Sequence, residues 1–256
     1  MGIFSSILGL FAANVGSSPS ETPTAKARRE LRSFVRYQLG FPLATVRING
    51  EDDVVPLDLS YGGFSLPTNS LKTQIHSSQR VDVRLRVLAN EIITSAVMTH
   101  NSGQAYGFAF LYKNTEALVF MQRLIEYMKC GATLTELSRE SLKDELKNEN
   151  WQYFRGEGPT DLLIRPSSGT ISDVQMTFKG RHGYCEVRSE NGRLSTAHAV
   201  DNDHLTSARM AGDRHPNADT LIAATYILLG ITHRQLLIEV KPFFDIAIAS
   251  ISNPAR

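Results

Sequence analysis

Apolar and polar positions alternate along much of the first half of the chain, and near residue 116 the alternation gives way to a helical period. Phe41-Pro42-Leu43-Ala44-Thr45-Val46-Arg47-Ile48 has strand composition, and Asn49-Gly50 behind it is a turn signal. The same reading predicts strands at 54–59, 63–66, 81–88, 91–100 and 105–112. Five or six short strands with turn signals between them argue for a small antiparallel barrel or sandwich.

From Glu116 the apolar residues Leu118, Met121, Leu124, Ile125 and Met128 recur at helical spacing, with Arg123 and Glu126 between them, which makes an amphipathic helix. Gly131 interrupts it, and Thr133-Leu134-Thr135-Glu136 has the capping-box pattern for a second helix carrying Leu137, Leu142 and Leu146. After Trp151 the pattern is β-like again at 161–165, 171–178 and 184–188, with Asn191-Gly192 as a hairpin turn. A buried helix at 218–229 ends at Gly230, and an apolar run at 236–251 is split by Pro242. No internal repeat or low-complexity tract is present.

The first residues, Met1-Gly2-Ile3-Phe4-Ser5-Ser6-Ile7-Leu8-Gly9-Leu10-Phe11, lack the basic start of a secretory signal peptide, and the apolar stretch ends near Val15, short of the ~20 residues that span a bilayer. As a helix, residues 3–15 would present Phe4, Leu8, Phe11 and Val15 on one face, suited either to core packing or to docking on a membrane surface or a protein. Residues 16–24, rich in Ser, Pro and Thr, read as a linker. Boundaries follow: an apolar segment and linker at 1–25, a barrel at 26–115, connecting helices at 116–150, and an α+β domain at 151–256 for output or interaction.

Composition adds exclusions. The 256 residues are 42% hydrophobic and 21% charged, the values of a globular chain rather than a disordered or fibrous one. Lys+Arg 27 against Asp+Glu 26 leaves a formal net charge of +1, so nothing global attracts nucleic acid, and anion recognition has to come from a local cluster. Cys130 and Cys185 fit neither a disulfide framework nor a paired metal motif, and the default compartment is a reducing cytosol.

Such a cluster exists. Lys26, Arg28, Arg29, Arg32 and Arg36 against the single Glu30 give five charges minus one, or +4, in one short run. Guanidinium forks bind phosphates bidentately, stack on base faces and donate to a guanine O6/N7 edge. Further on, Asp58-Leu59-Ser60-Tyr61-Gly62-Gly63 ends a predicted strand. A carboxylate there can accept from guanine N1–H and N2–H2, the hydroxyl two residues on can reach the same ligand, and glycine lets backbone approach it closely. Each feature alone also fits a bland role, the first a solvated basic face and the second a hairpin turn.

In this order and spacing the two resemble the PilZ domain, the bacterial receptor module for cyclic di-GMP. Arg32-Ser33-Phe34-Val35-Arg36 matches the RxxxR pair that precedes the first barrel strand of that family, and Asp58, Ser60 and Gly63 match its D/N-x-S-x-x-G motif. Tyr106-Gly107-Phe108-Ala109-Phe110 resembles its closing strand, so the resemblance covers residues 26 to about 128. Arg28-Arg29-Glu30-Leu31-Arg32 is a second RxxxR register; Arg32 and Arg36 are preferred on their distance to the first strand, with Arg28 or Arg29 giving supplementary contacts. The resemblance implies a basic segment that wraps one end of the barrel and clamps one or two cyclic di-GMP molecules against it.

Other residues carry less. His198, Asp201, Asp203 and His204 are ligand-like in type but have no repeated spacing, and read as a polar loop. No G-x-S-x-G or phosphate-binding loop is present, so no catalytic, metal or cofactor residue is assigned. The overall expectation is a small PilZ-like antiparallel β-barrel, then helices, then a C-terminal α+β domain. Its function would be that of a non-enzymatic cytoplasmic effector of cyclic di-GMP, able to associate with membrane or partner through residues 1–15 and with a protein partner or a second copy through 116–256. The competing expectation is an adaptor or chaperone-like interaction protein whose barrel binds no nucleotide.

Overall fold

The computed structural model describes residues 35–38, 44–88, 90–142, 144–148, 150–167, 170–181, 183–190, 192–199 and 210–252. The expectations for residues 1–15, the linker at 16–24, Arg28, Arg29 and Arg32, and Asp201, Asp203 and His204 fall outside the described residues. Within them the chain is mostly β, in two seven-stranded antiparallel sheets with helices between and after them.

The first sheet contains β1 (Tyr37–Gln38), β2 (Ala44–Ile48), β3 (Asp58–Ser60), β4 (Gly63–Pro67), β5 (Arg80–Val87), β6 (Asn90–Asn101) and β7 (Ala105–Leu111). It is a curled antiparallel half-barrel in the order β1-β3-β4-β7-β6-β5-β2, so the first two strands form opposite edges rather than closing the ring. Period-two alternation gives the sheet its core face: in β5, Val81, Val83, Leu85 and Val87 are buried while Arg80, Asp82, Arg84 and Arg86 are exposed. Phe64 and Phe108 stack inside with ring centroids 5.0 Å apart. The Asn49-Gly50 turn has φ of 49° and 79°, and the Glu51 amide donates to the Ile48 carbonyl at 2.9 Å, closing a tight turn with both central residues in the left-handed region.

Helix α1 (Thr115–Ala132) starts where the period changes, because the Asn114 side chain accepts from the Ala117 amide at 2.8 Å. Its buried face is Ala117, Met121, Leu124 and Met128, while Leu118 and Ile125 are half-buried at its margins.

The helix expected from Thr133 onward does not form. Thr135–Glu136 is strand β8, followed by a 3₁₀ turn at Arg139–Ser141 and only five helical residues, α2 (Asp144–Asn148). The cause is the hydroxyl on which the capping-box reading rested. Thr133 Oγ1 shares its one hydrogen between the Lys129 and Cys130 carbonyls and accepts from the Glu157 amide, so it caps the end of α1 and leaves no cap for a following helix.

The second sheet is a meander, β8 through β14 in chain order: β9 (Gln152–Gly156), β10 (Thr160–Ser167), β11 (Thr170–Gly180), β12 (Gly183–Glu190), β13 (Arg193–Ala199) and β14 (Met210–Gly212). Three of these follow the expected strands, and β9, β13 and β14 are additional. Its apolar face, built from Phe154, Leu162, Ile164, Val174, Met176, Phe178 and Val187, is buried beneath α3 (Ala218–Gly230) and α4 (Arg234–Ser252). Pro242 does not split the last run: α4 passes through it, and the position lies on the exposed side with Ile238, whose carbonyl the missing amide would have bonded.

Helices α1 and α3 cross with backbones in contact. A Cβ on Gly131 would stand 1.8 Å from the Ile227 carbonyl oxygen, and one on Gly230 would stand 1.9 Å from that of Met128. Asn90 in β6 also donates to the Tyr226 hydroxyl at 2.9 Å. The apolar core consequently runs from Tyr37 to Phe243 as one cluster shared by both sheets.

Candidate functional site

The basic segment enters the described structure at Val35-Arg36, and β1 fixes its position by pairing antiparallel with β3, Tyr37 opposite Leu59 and Gln38 opposite Asp58. Tyr37 points into the core, where burial raises its phenol pKa above the usual value. By strand alternation Arg36 then lies on the outer face with Asp58 and Ser60. Arg36 Nη1 donates to Asp58 Oδ1 at 3.1 Å and approaches Oδ2 at 3.4 Å, with the two side chains 35% and 21% exposed. Sequence reading named both residues without foreseeing that one would be the other's partner.

The remaining motif residues flank this pair. Ser60 is buried, and its hydroxyl donates to the Gly63 carbonyl at 3.1 Å, closing the β3–β4 turn. Gly63 is required by a close approach: a Cβ there would stand 1.9 Å from the Phe108 carbonyl oxygen on β7. Ser65, buried on β4 directly opposite Asp58, donates its hydroxyl to Asp58 Oδ2 at 2.7 Å. Sequence analysis missed Ser65, yet the signal was present, since a two-residue loop at Tyr61-Gly62 sets position 65 across from 58.

The arrangement is a half-buried carboxylate oriented by a hydroxyl and covered by one guanidinium. Any ligand offering two adjacent N–H donors can compete for the carboxylate, and the displaced guanidinium then becomes a cation for an anionic part of the same ligand. Beside the site, Lys129 at the end of α1 pairs with Glu157 of the β9–β10 turn, so β1, α1 and the second sheet meet near Tyr37.

Elsewhere, His198 Nδ1 lies 3.0 Å from Asp213 Oδ1, and Thr196 Oγ1 bonds Asp213 Oδ2 while accepting from the Asn217 amide at 2.8 Å; these contacts tie β13 to the start of α3. Burial pushes the Cys185 thiol up, the direction of a packed rather than a reactive cysteine. Arg165 stands over the Trp151 ring at 5.3 Å, so that tryptophan serves packing. Among the described residues no group of three or more His, Cys, Asp or Glu side chains is placed to hold a metal ion, and no helix is long and apolar enough to cross a membrane.

No protein-family model and no curated protein matches the chain. Among solved structures, the crystal structure of an uncharacterized Legionella protein is similar over 36% of this chain and 95% of that one, with 11% identity and a TM-score of 0.30.

Proposed function

We propose that the protein is a PilZ-type effector that binds cyclic di-GMP on the outer face of its first sheet and passes the signal to a partner through residues 116–256. The observation that carries this reading is the Arg36–Asp58 pair, since a guanidinium from the basic run and the carboxylate of the D-x-S-x-x-G motif lie in direct contact though 22 positions apart. On this reading Asp58 accepts the guanine N1–H and N2–H2 edge, Arg36 moves to a phosphate, and Arg32 with Arg28 or Arg29 completes the clamp. The chain acts as a cytoplasmic, non-enzymatic receptor, and bacterial processes such as motility, exopolysaccharide synthesis or surface attachment are the outputs the resemblance implies.

Titration calorimetry of the purified protein with cyclic di-GMP tests the reading directly; absence of binding at millimolar ligand would overturn it in favour of a nucleotide-free adaptor. Ser65 gives a finer test. Ser65→Ala leaves the Asp58 carboxylate without its orienting hydrogen bond, worth about 0.5–1.5 kcal/mol, or roughly two- to twelvefold in affinity. The loss should fall more heavily on cyclic di-GMP than on cyclic di-AMP, because a misaligned carboxylate reads the guanine edge less well, and Ser65→Thr should restore the wild-type ratio. An unchanged ratio in Ser65→Ala would confine Ser65 to packing.

A further inference from the structure

Sheet register places Asp58 in one row with Ser65 on β4, Gly107 on β7 and His100 on β6. His100 owes this place to a β-bulge. The β6–β7 register shifts between Met98 and His100, so Thr99 is the extra residue and His100 rather than Thr99 stands opposite Gly107. Without the bulge, period-two alternation would turn the imidazole to the other face of the sheet.

Two further features fix the ring. A Cβ on Gly107 would lie 1.9 Å from His100 Cε1 and 2.3 Å from Nδ1, so the imidazole occupies the space that any other residue at 107 would fill. Thr99 Oγ1 donates its one hydrogen to the Gly107 carbonyl at 3.0 Å and lies 3.3 Å from His100 Nδ1. Among the described residues nothing bonds Nε2, which is left as the polar atom at the exposed end of the row.

We propose that His100 is a further ligand-contacting residue, closing the side of the nucleotide site opposite Arg36 and Asp58. The inference rests on the cyclic di-GMP reading above and extends it across the sheet. Strands spaced ~4.8 Å apart leave roughly 10 Å between Asp58 on β3 and a ring that reaches back over β7. A ligand whose guanine edge meets Asp58 then has its ribose toward the imidazole, while its phosphate stays within reach of Arg36. There Nε2 hydrogen-bonds the ribose 2′-hydroxyl, a group that can both donate and accept.

The test is calorimetry with cyclic di-GMP on wild type and His100→Ala, together with the His100 Cε1–H proton resonance, assigned by its loss in His100→Gln. Expected are wild-type binding, a roughly three- to tenfold loss in His100→Ala, an unchanged ratio between cyclic di-GMP and cyclic di-AMP in that variant, and a ligand-dependent shift of the resonance. Wild-type binding with an unaltered affinity in His100→Ala and an unmoved resonance would overturn the inference while leaving the Asp58 site standing. Failure of the wild type to bind would overturn the site reading and this inference together.

Discussion

Arg36→Ala should lower the affinity for cyclic di-GMP by roughly ten- to a hundredfold, measured by calorimetry at fixed salt. A charge-assisted contact to an anionic ligand is worth about 1.5–3 kcal/mol, which sets that range. The same substitution should hardly change stability, because among the described residues the guanidinium is engaged in a half-exposed pair with Asp58, 3.1 Å away, and pairs of that kind contribute about 0–1 kcal/mol. A large binding loss with a near-constant melting temperature therefore separates a ligand contact from a structural one. Asp58→Ala should behave differently, weakening cyclic di-GMP binding and narrowing its advantage over cyclic di-AMP, since in the proposed site the carboxylate faces an edge that adenine lacks. Arg32→Ala belongs to the same series, and wild-type affinity in both arginine variants would sink the assignment.

The second large effect concerns the fold. Gly131→Ala should destabilise the protein by about 2–3 kcal/mol in chemical denaturation, which for a chain of this length lowers the melting temperature by about 4–12 °C. Helix propensity alone favours alanine at such a position by about 1 kcal/mol. The contact decides the sign: the new methyl would stand 1.8 Å from the Ile227 carbonyl oxygen, and backbone cannot swing aside as a flexible side chain would. Equal or greater stability of Gly131→Ala would mean that α1 and α3 are not in backbone contact.

The legibility of the sequence followed the physics of each segment. The strands of the first sheet were readable because one face is core and the other solvent; β5, with valine or leucine at every second position, is the clearest case. β1 was hidden, since two residues just past a basic run carry no period, and pairing with β3 makes them a strand. Thr133 misled because a threonine hydroxyl serves the end of one helix as readily as the start of the next. Leu194 and Ser195 on β13 alternate too weakly to announce a strand. At the site, residue types were legible and partners were not: Arg36 and Asp58 were chosen for a ligand, while their contact with each other, the support from Ser65 and the bulge that turns His100 outward are all consequences of register.

The crossing of α1 and α3 also sets a timetable for synthesis. About 85 residues lie between the end of one helix and the start of the other, and at ~5–20 residues per second a ribosome needs roughly 4–17 s to supply them. Until residues 218–230 are made, the side of α1 that meets α3, with Met128 and Gly131 at its centre, has no helix to cover it. Docking of α1 on α3 therefore waits for synthesis of the stretch from 133 to 217.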